Sequence, residues 1–301
     1  MLNTPVLLLV FNRPVQALRV LRAIRQQQPA QLFIAADGPR ENKPGEPELC
    51  DATRRAVLQH IDWPCEVKTL FRAQNLGCGK AVSSAINWFF EQVEEGIILE
   101  DDCVPAPVFF TFCAELLERY RANEKIMHIG GTNYQMGIVR GEASYYFSKY
   151  AHIWGWATWK RAWKYYDFTL QRYKHHDISH LAPRFRHDLR TIYEQRIDTW
   201  DIQWFMSVLF NEGIAITPNT NLVRNTGYGQ DATHTTTQPA WFKRMVYNSI
   251  TEISHPLTIR TDQAADAYTV RTLYNDNRFS FMVKKIIKSN ALLYNLYKRI
   301  S

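Results

Sequence analysis

Residues 96–102 read Gly96-Ile97-Ile98-Leu99-Glu100-Asp101-Asp102, an apolar run that ends abruptly in three carboxylates. The run has the length and β-branched content of a buried strand. Three adjacent carboxylates at the end of such a strand are costly unless something cationic neutralises them. A hard divalent ion does this through oxygen ligands, the more so when substrate phosphates share its coordination. The bland alternative is a solvated acidic turn capping the helix that follows at Val108. Position decides for the first reading, because strand ends are where open sheets bind ligands.

Upstream, the chain repeats the same unit. Val6 to Phe11 is a strand-forming run, and Asn12-Arg13-Pro14 opens a helix with Leu18, Leu21 and Ile24 on one face. Proline suits the first turn of that helix. Leu32 to Ala36 forms a second strand and ends in Asp37-Gly38-Pro39. A helix carrying Leu49, Ala56, Val57 and Ile61 follows. Val67 to Phe71 is a third strand, and Val82, Ile86, Phe89, Phe90 and Val93 line the next helix. Strands alternating with helices predict an α/β fold, a mostly parallel central sheet with helices on both faces. Right-handed crossovers place the four strand ends on one edge. Asn12, Arg13, Asp37, Asn75, Gly77, Glu100, Asp101 and Asp102 are therefore expected to meet in one crevice.

Asn75-Leu76-Gly77-Cys78-Gly79-Lys80 precedes a helix but is neither common phosphate motif. A Walker A loop requires glycine where Gln74 stands and Ser or Thr where Ala81 stands; the dinucleotide fingerprint requires a third glycine where Val82 stands. What remains is a glycine turn at a helix N-terminus, with its N–H groups and Lys80 offered to an anion. Arg13 suits a diphosphate, and Asp37 suits hydrogen bonding to a base or ribose. Taken singly, these two read as a surface arginine and an Asp-Gly-Pro turn.

The runs VFNRP, AADGPR, NLGCGKA and ILEDDCVP with a following Phe-Phe resemble a GT-A-fold glycosyltransferase, more narrowly the group related to N-acetylglucosaminyltransferase I and the bacterial family 2-like sugar transferases. The resemblance is dense from Pro5 to about Phe110 and patchy to about His234. It implies a Rossmann-like nucleotide-diphospho-sugar transferase fold and Mn²⁺ or Mg²⁺ on Asp102. It also implies Glu100 and Asp101 facing ribose and donor sugar, and Arg13 and Asp37 contacting the nucleotide, most often uridine. Trp200-Asp201-Ile202-Gln203-Trp204 is similar to the segment holding the catalytic base. Asp201 is the expected base, with Asp198 in reserve, although Gln203 interrupts the paired acids usual there. The competing reading is an amphipathic helix with Trp200 and Trp204 in the core. The loop from Asn225 to His234 resembles one that closes over the diphosphate, with His234 on pyrophosphate or metal. Trp154-Gly155-Trp156 reads equally as an acceptor or donor-sugar wall and as a core cluster.

The implied reaction is inverting transfer of a sugar from a nucleotide diphosphate, in particular a UDP-sugar, to a hydroxyl on a glycan or lipid-linked acceptor. Two alternatives stand beside it: a membrane-associated nucleotide-sugar or glycan-binding protein without activity, and a sugar nucleotidyltransferase. The second expects a glycine-rich loop after the first strand, where this chain has Asn12-Arg13-Pro14.

The division expected is a catalytic domain over 1–280, with a nucleotide-binding half 1–106 and an acceptor-side half 107–280, and a basic amphipathic tail over 281–301. In that tail Val283, Ile286, Ile287, Leu293 and Tyr297 alternate with Lys284, Lys285, Lys288 and Lys298, a pattern suited to peripheral contact with an anionic membrane. A net charge of +7 favours anionic partners. Nucleic acid is not expected among them, since no basic run interleaved with aromatics forms a module. Five cysteines without a C-x-x-C pair point to a reducing, cytoplasmic setting. The N-terminal apolar run is too short to span a bilayer and reads as a strand rather than a signal peptide.

Overall fold

The computed structural model describes residues 1–228, 238–239 and 241–274. In chain order the first elements are β1 (Val6–Val10), α1 (Pro14–Gln27), β2 (Gln31–Ala36), α2 (Glu46–Gln59), β3 (Glu66–Phe71), α3 (Cys78–Phe90) and β4 (Glu95–Glu100). Then come β5 (Cys103–Pro105), α4 (Pro107–Arg119), β6 (Ile126–Gly130), β7 (Tyr145–Ser148), β8 (Trp156–Trp159) and the short α5 (Lys160–Trp163). The series closes with α6 (Pro183–Tyr193), α7 (Asp201–Phe210), β9 (Ile214–Pro218), β10 (Val223–Asn225) and α8 (Gln263–Thr269).

Eight strands form one sheet in the order β3-β2-β1-β4-β8-β6-β9-β7. The four expected strands are its parallel half: β1 pairs in parallel with β2 and β4, and β2 with β3. The later chain extends the sheet with mixed strands. β8 is antiparallel to both β4 and β6, β9 is parallel to β6, and β7 is antiparallel to β9. The class is the expected one, a mostly parallel sheet under two helical layers.

Both faces of the sheet are covered over β1, β2 and β4, which is why those strands read as continuous apolar runs rather than alternating ones, whereas the edge strand β3 stays partly exposed. On one face Val6, Leu8, Leu32, Ile34, Ile97 and Leu99 pack against Ala17, Val20, Leu21 and Ile24 of α1, Val57 of α2 and Phe109 and Phe112 of α4. On the other, Leu7, Leu9, Phe33 and Ile98 meet Ala85, Ile86 and Phe89 of α3 and the aromatic surfaces of Trp163, Phe185, Trp200 and Trp204. Pro14, Pro107 and Pro183 each stand in the first turn of their helices, where the missing N–H has no partner to lose. One detail departs from expectation. α2 buries Cys50, Thr53 and Val57 and leaves Leu49 46% exposed, so its inward stripe lies one position around the helix.

Because β1 sends the chain to β2 on one side and receives β4 on the other, the strand order reverses between β1 and β4. A crevice outside their carboxyl ends follows from that topology. The short antiparallel pair of β5 and β10, with Cys103 opposite Asn225, folds the later chain back over its rim.

Candidate functional site

The crevice has a volume of about 580 Å³ and draws its walls from β1, β2, the β3–α3 loop, β4, α7 and the segment after β10. A larger recess of about 830 Å³ is lined by Arg119, Asn123, Lys125 and Asn211. It lies at the start of β6 and β9, the opposite end of the sheet, away from the acidic triplet.

Glu100, Asp101 and Asp102 line the crevice together with Arg13. β4 ends at Glu100, and the turn through Asp101 and Asp102 brings both of their carboxylates to Arg13. Asp101 is buried and pairs with the Arg13 guanidinium through both of its oxygens. The same guanidinium reaches Asp102 Oδ2 at 3.1 Å. Burial pushes the Asp101 carboxyl up to about 6, against the pull of Arg13. Glu100 is half-buried, and its pKa is raised well above the usual carboxylate range by burial and by the charges of Asp102, Asp101 and Asp201, with Arg13 opposing. Asp101 and Asp102 thus share the Arg13 guanidinium, and Glu100 stands within reach of the charges of all three other acids.

Asp201 is the first residue of α7 and lines the same crevice, although a hundred residues of chain separate it from the triplet. Its carboxylate accepts a hydrogen bond from the Thr199 hydroxyl. The two readings of Trp200 to Trp204 prove compatible: both tryptophans are buried in the core, and Asp201 is the polar face of that same helix start.

The rest of the crevice departs from expectation in informative ways. Asp37 lines it, yet its carboxylate is engaged from within: Gly38 N donates to Oδ1 at 2.9 Å, Asn75 Nδ2 to Oδ2 at 2.9 Å, and Leu76 N to both oxygens at 3.0 Å. It latches the β2 and β3 ends together rather than offering free lone pairs to a nucleotide. Asn75 serves that latch. Arg54 reinforces it, donating to the carbonyls of Asp37 and Arg72 at 3.0 and 2.7 Å. Asn12 turns to Glu46, 3.0 Å away, and lies outside the crevice wall. Lys80 is exposed on the first turn of α3 and is likewise not part of the wall.

Gly77, with φ +81°, forms the expected turn before α3, but the anion at that helix start belongs to the chain itself. Asp198 accepts hydrogen bonds from the Cys78 and Gly79 N–H groups, each at 2.8 Å. Those donors are the ones a phosphate would have used, so the reading of Asp198 as a reserve base gives way to a capping role.

Trp154, Gly155 and Trp156 separate. Trp154 lines the crevice and meets Tyr228 edge to face, centroids 5.8 Å apart. Gly155 makes the turn at φ +64°, where a Cβ would lie 2.6 Å from Val223 Cγ2. Trp156 is 1% exposed and stacks between His128 and Trp200, because β8 lies between two strands in a sheet covered on both faces. It belongs to the core, not to a sugar wall. His234 and the tail 281–301 lie outside the described residues.

Two cations not expected from the sequence, Arg40 and Arg72, also line the wall. Arg72 follows β3 directly, the same cue that singled out Arg13 and Asp37 after their strands. Arg40 closes the AADGPR run and is held by Glu46, with Nε 2.9 Å from Oε2.

No family model and no curated protein matches the chain. Among solved structures it is similar to HddC from Yersinia pseudotuberculosis, with a TM-score of 0.32 and 9% identity over 52% of this chain and 77% of that one. It is also similar to UDP-glucose pyrophosphorylase complexed with UDP-glucose, with a TM-score of 0.37 and 9% identity over 71% of this chain and 90% of that one. Overlaps this loose leave the reading of the site to its own geometry. No helix among the described residues is long and apolar enough to cross a membrane.

Proposed function

We propose that the protein is an inverting glycosyltransferase of the GT-A type, moving a sugar from a nucleotide diphosphate, a UDP-sugar in the first instance, to a hydroxyl of a glycan or lipid-linked acceptor. The observation that carries this reading is the meeting of Glu100, Asp101, Asp102 and Arg13 with Asp201 in one crevice at the β1/β4 reversal.

The donor set fits Mn²⁺ or Mg²⁺. Carboxylate oxygens are the ligands such ions prefer, and Glu100 is crowded by the negative charges of Asp101, Asp102 and Asp201 with only Arg13 opposing, a local surplus that a divalent cation offsets. Among the described residues no group of three or more His, Cys, Asp or Glu is placed to hold an ion by itself, so the protein's share of the ligands would be small. Asp102 would hold the ion. Bound there, it would supply charge neutralisation of the departing diphosphate.

The chain's own residues do the remaining work. Arg13 fixes Asp101 and Asp102 and adds positive charge on the diphosphate side. Arg40 and Arg72 extend that positive wall. Glu100, next to Asp201, faces the reacting sugar. Asp201 takes the proton from the acceptor hydroxyl as that oxygen bonds to the anomeric carbon. The bond from the anomeric carbon to the diphosphate breaks in the same displacement, and the nucleoside diphosphate leaves. One displacement inverts the configuration.

Calorimetry with UDP and Mn²⁺ tests the site: Asp102→Ala is expected to abolish metal-dependent binding, and unchanged binding refutes the metal assignment. NMR of the product anomer tests the chemistry, and retention removes Asp201 from its role.

A further inference from the structure

Three residues before the proposed base, a second carboxylate does something else. Asp198 Oδ2 accepts from Cys78 N and Oδ1 from Gly79 N, both at 2.8 Å, across 120 residues of sequence. A carboxylate at a helix N-terminus satisfies donors that the helix cannot and sits favourably in its dipole. Such caps are ordinarily supplied by the residue just before the helix. Here that residue is Gly77, which has no side chain to offer.

The fit is close on both sides. A Cβ on Gly77 would collide with the Asp198 carboxylate, and φ of +81° there disfavours any side chain. A Cβ on Gly79 would stand 2.7 Å from both Asp198 Oδ1 and the Thr199 carbonyl. The glycine pair therefore admits the backbone of residues 198–199 against the start of α3. Beyond the contact, the Thr199 hydroxyl bonds to the Asp201 carboxylate, and the Thr199 carbonyl accepts from Gln203 Nε2 at 2.8 Å. Thr199 thus ties the anchored segment to the first turn of α7 by two separate bonds.

We infer that Asp198 is a positioning residue, whose carboxylate fills the anion site at the start of α3 and so fixes where Asp201 stands beside Glu100. The inference rests on the proposed transferase reading for the role of Asp201, while the anchor itself is independent of it. Two consequences follow. The start of α3 is closed to the diphosphate, which is left to Arg13 and the acidic triplet. Loosening the anchor disturbs the base more than it disturbs nucleotide binding.

The test compares full-length wild type with Asp198→Ala, Asp198→Asn and Gly79→Ala, the last pressing on both the Asp198 carboxylate and the Thr199 carbonyl while leaving Asp198 itself in the chain. UDP with Mn²⁺ is the binding probe, a panel of UDP-sugars the turnover probe, and amide hydrogen exchange the structural one. Asp198→Ala and Gly79→Ala are expected to lower kcat at least about 30-fold, the scale on which a misplaced catalytic group acts. KM and UDP affinity should stay within about threefold, as for an interaction made only in the transition state. Asp198→Asn, which keeps one acceptor oxygen, should recover part of the loss. Exchange at Cys78, Gly79 and Trp204 should accelerate in the alanine variant. Unchanged kcat despite faster exchange at Cys78 and Gly79 would reduce Asp198 to a cap and overturn the inference, as would parallel loss of UDP affinity and kcat. If wild type cleaves no UDP-sugar, the transferase reading fails. The Trp204 amide, bonded to the Trp200 carbonyl across the turn that Asp201 opens, then decides: acceleration upholds the anchor, and no change removes it.

Discussion

The two sides of the crevice are built on opposite principles. Around the ends of β2 and β3, polar groups find partners within the chain: Asp37 with Gly38, Asn75 and Leu76, and Arg54 Nη2 with two carbonyls. Around the end of β4 and the start of α7, the balance is broken. Glu100, Asp101, Asp102 and Asp201 crowd together with Arg13 as the offsetting cation. A matched network holds shape, whereas an unmatched one stores a demand that a ligand can meet. The contrast shows why a count of polar residues in a crevice says little, and the pattern of their satisfaction says more.

The largest effect that would sharpen this contrast is catalytic. Asp201→Asn should lower turnover by about 10²- to 10⁴-fold, the usual contribution of a general base. UDP affinity measured by calorimetry should remain near wild type. Equal loss of both would mean that Asp201 organises the crevice instead of acting on the acceptor.

Next come the two tryptophans of one turn. Trp156→Ala should cost about 3–5 kcal/mol in denaturant unfolding, as for other large-to-small core changes. Trp154→Ala, at the crevice wall, should cost under about 1 kcal/mol while changing sugar affinity. Similar losses for both would erase the division between core and wall.

A third expectation concerns pH and lies behind the acidic side. His128 is fully buried, and burial lowers its pKa to about 3. Its Nδ1 accepts from Trp204 Nε1 at 3.2 Å, and its Nε2 lies 3.0 Å from the His152 carbonyl, so the ring is neutral with its proton on Nε2. Unfolded, the same ring titrates near 6.5. Between the two values the unfolded chain binds a proton that the native chain does not, so stability falls as pH falls below about 6.5. At pH 5 the loss from His128 is about 2 kcal/mol. Thermal melts of wild type and His128→Gln from pH 7 to 5 should show a shallower slope for the variant, and equal slopes would refute the neutral ring.

The smallest pair has opposite signs. Asp37→Ala removes the acceptor shared by Gly38 N, Leu76 N and the Asn75 amide, and because Leu76 is open to water the cost should be about 0.5–1.5 kcal/mol. Glu100→Gln relieves like-charge crowding and should raise stability by about 1 kcal/mol at neutral pH, while weakening function. Two losses of stability would show both sides to be structural.

The parallel strands and the crevice at their ends were legible, because the doubly buried β1, β2 and β4 leave unbroken apolar runs, Pro14 marks the first helix between them, and β3 follows in the same alternation. Arg13, Asp101 and Asp102 were legible for the same reason: each follows a strand that could be recognised. Asp198 was misread because its partners, the N–H groups of Cys78 and Gly79, lie 120 residues away and leave no local pattern. Lys80 was misread because the start of α3 could be located but the direction faced by its first turn could not. Trp156 looked like half of a matched pair with Trp154. Only the insertion of β8 between β4 and β6 separates them, and strand order across a mixed sheet is not written in any local period.

The ribbon of β5 and β10 has one more implication. Thr226 N donates to the Asp102 carbonyl at 2.7 Å, and at Gly227 the space that a side chain would fill is already taken by the Asp102 carboxylate. The acidic triplet and this glycine are therefore one heritable unit. A lineage that acquired a bulkier residue at 227 would have to surrender the geometry of Asp102 with it, and an engineer transplanting the triplet would have to carry the ribbon along.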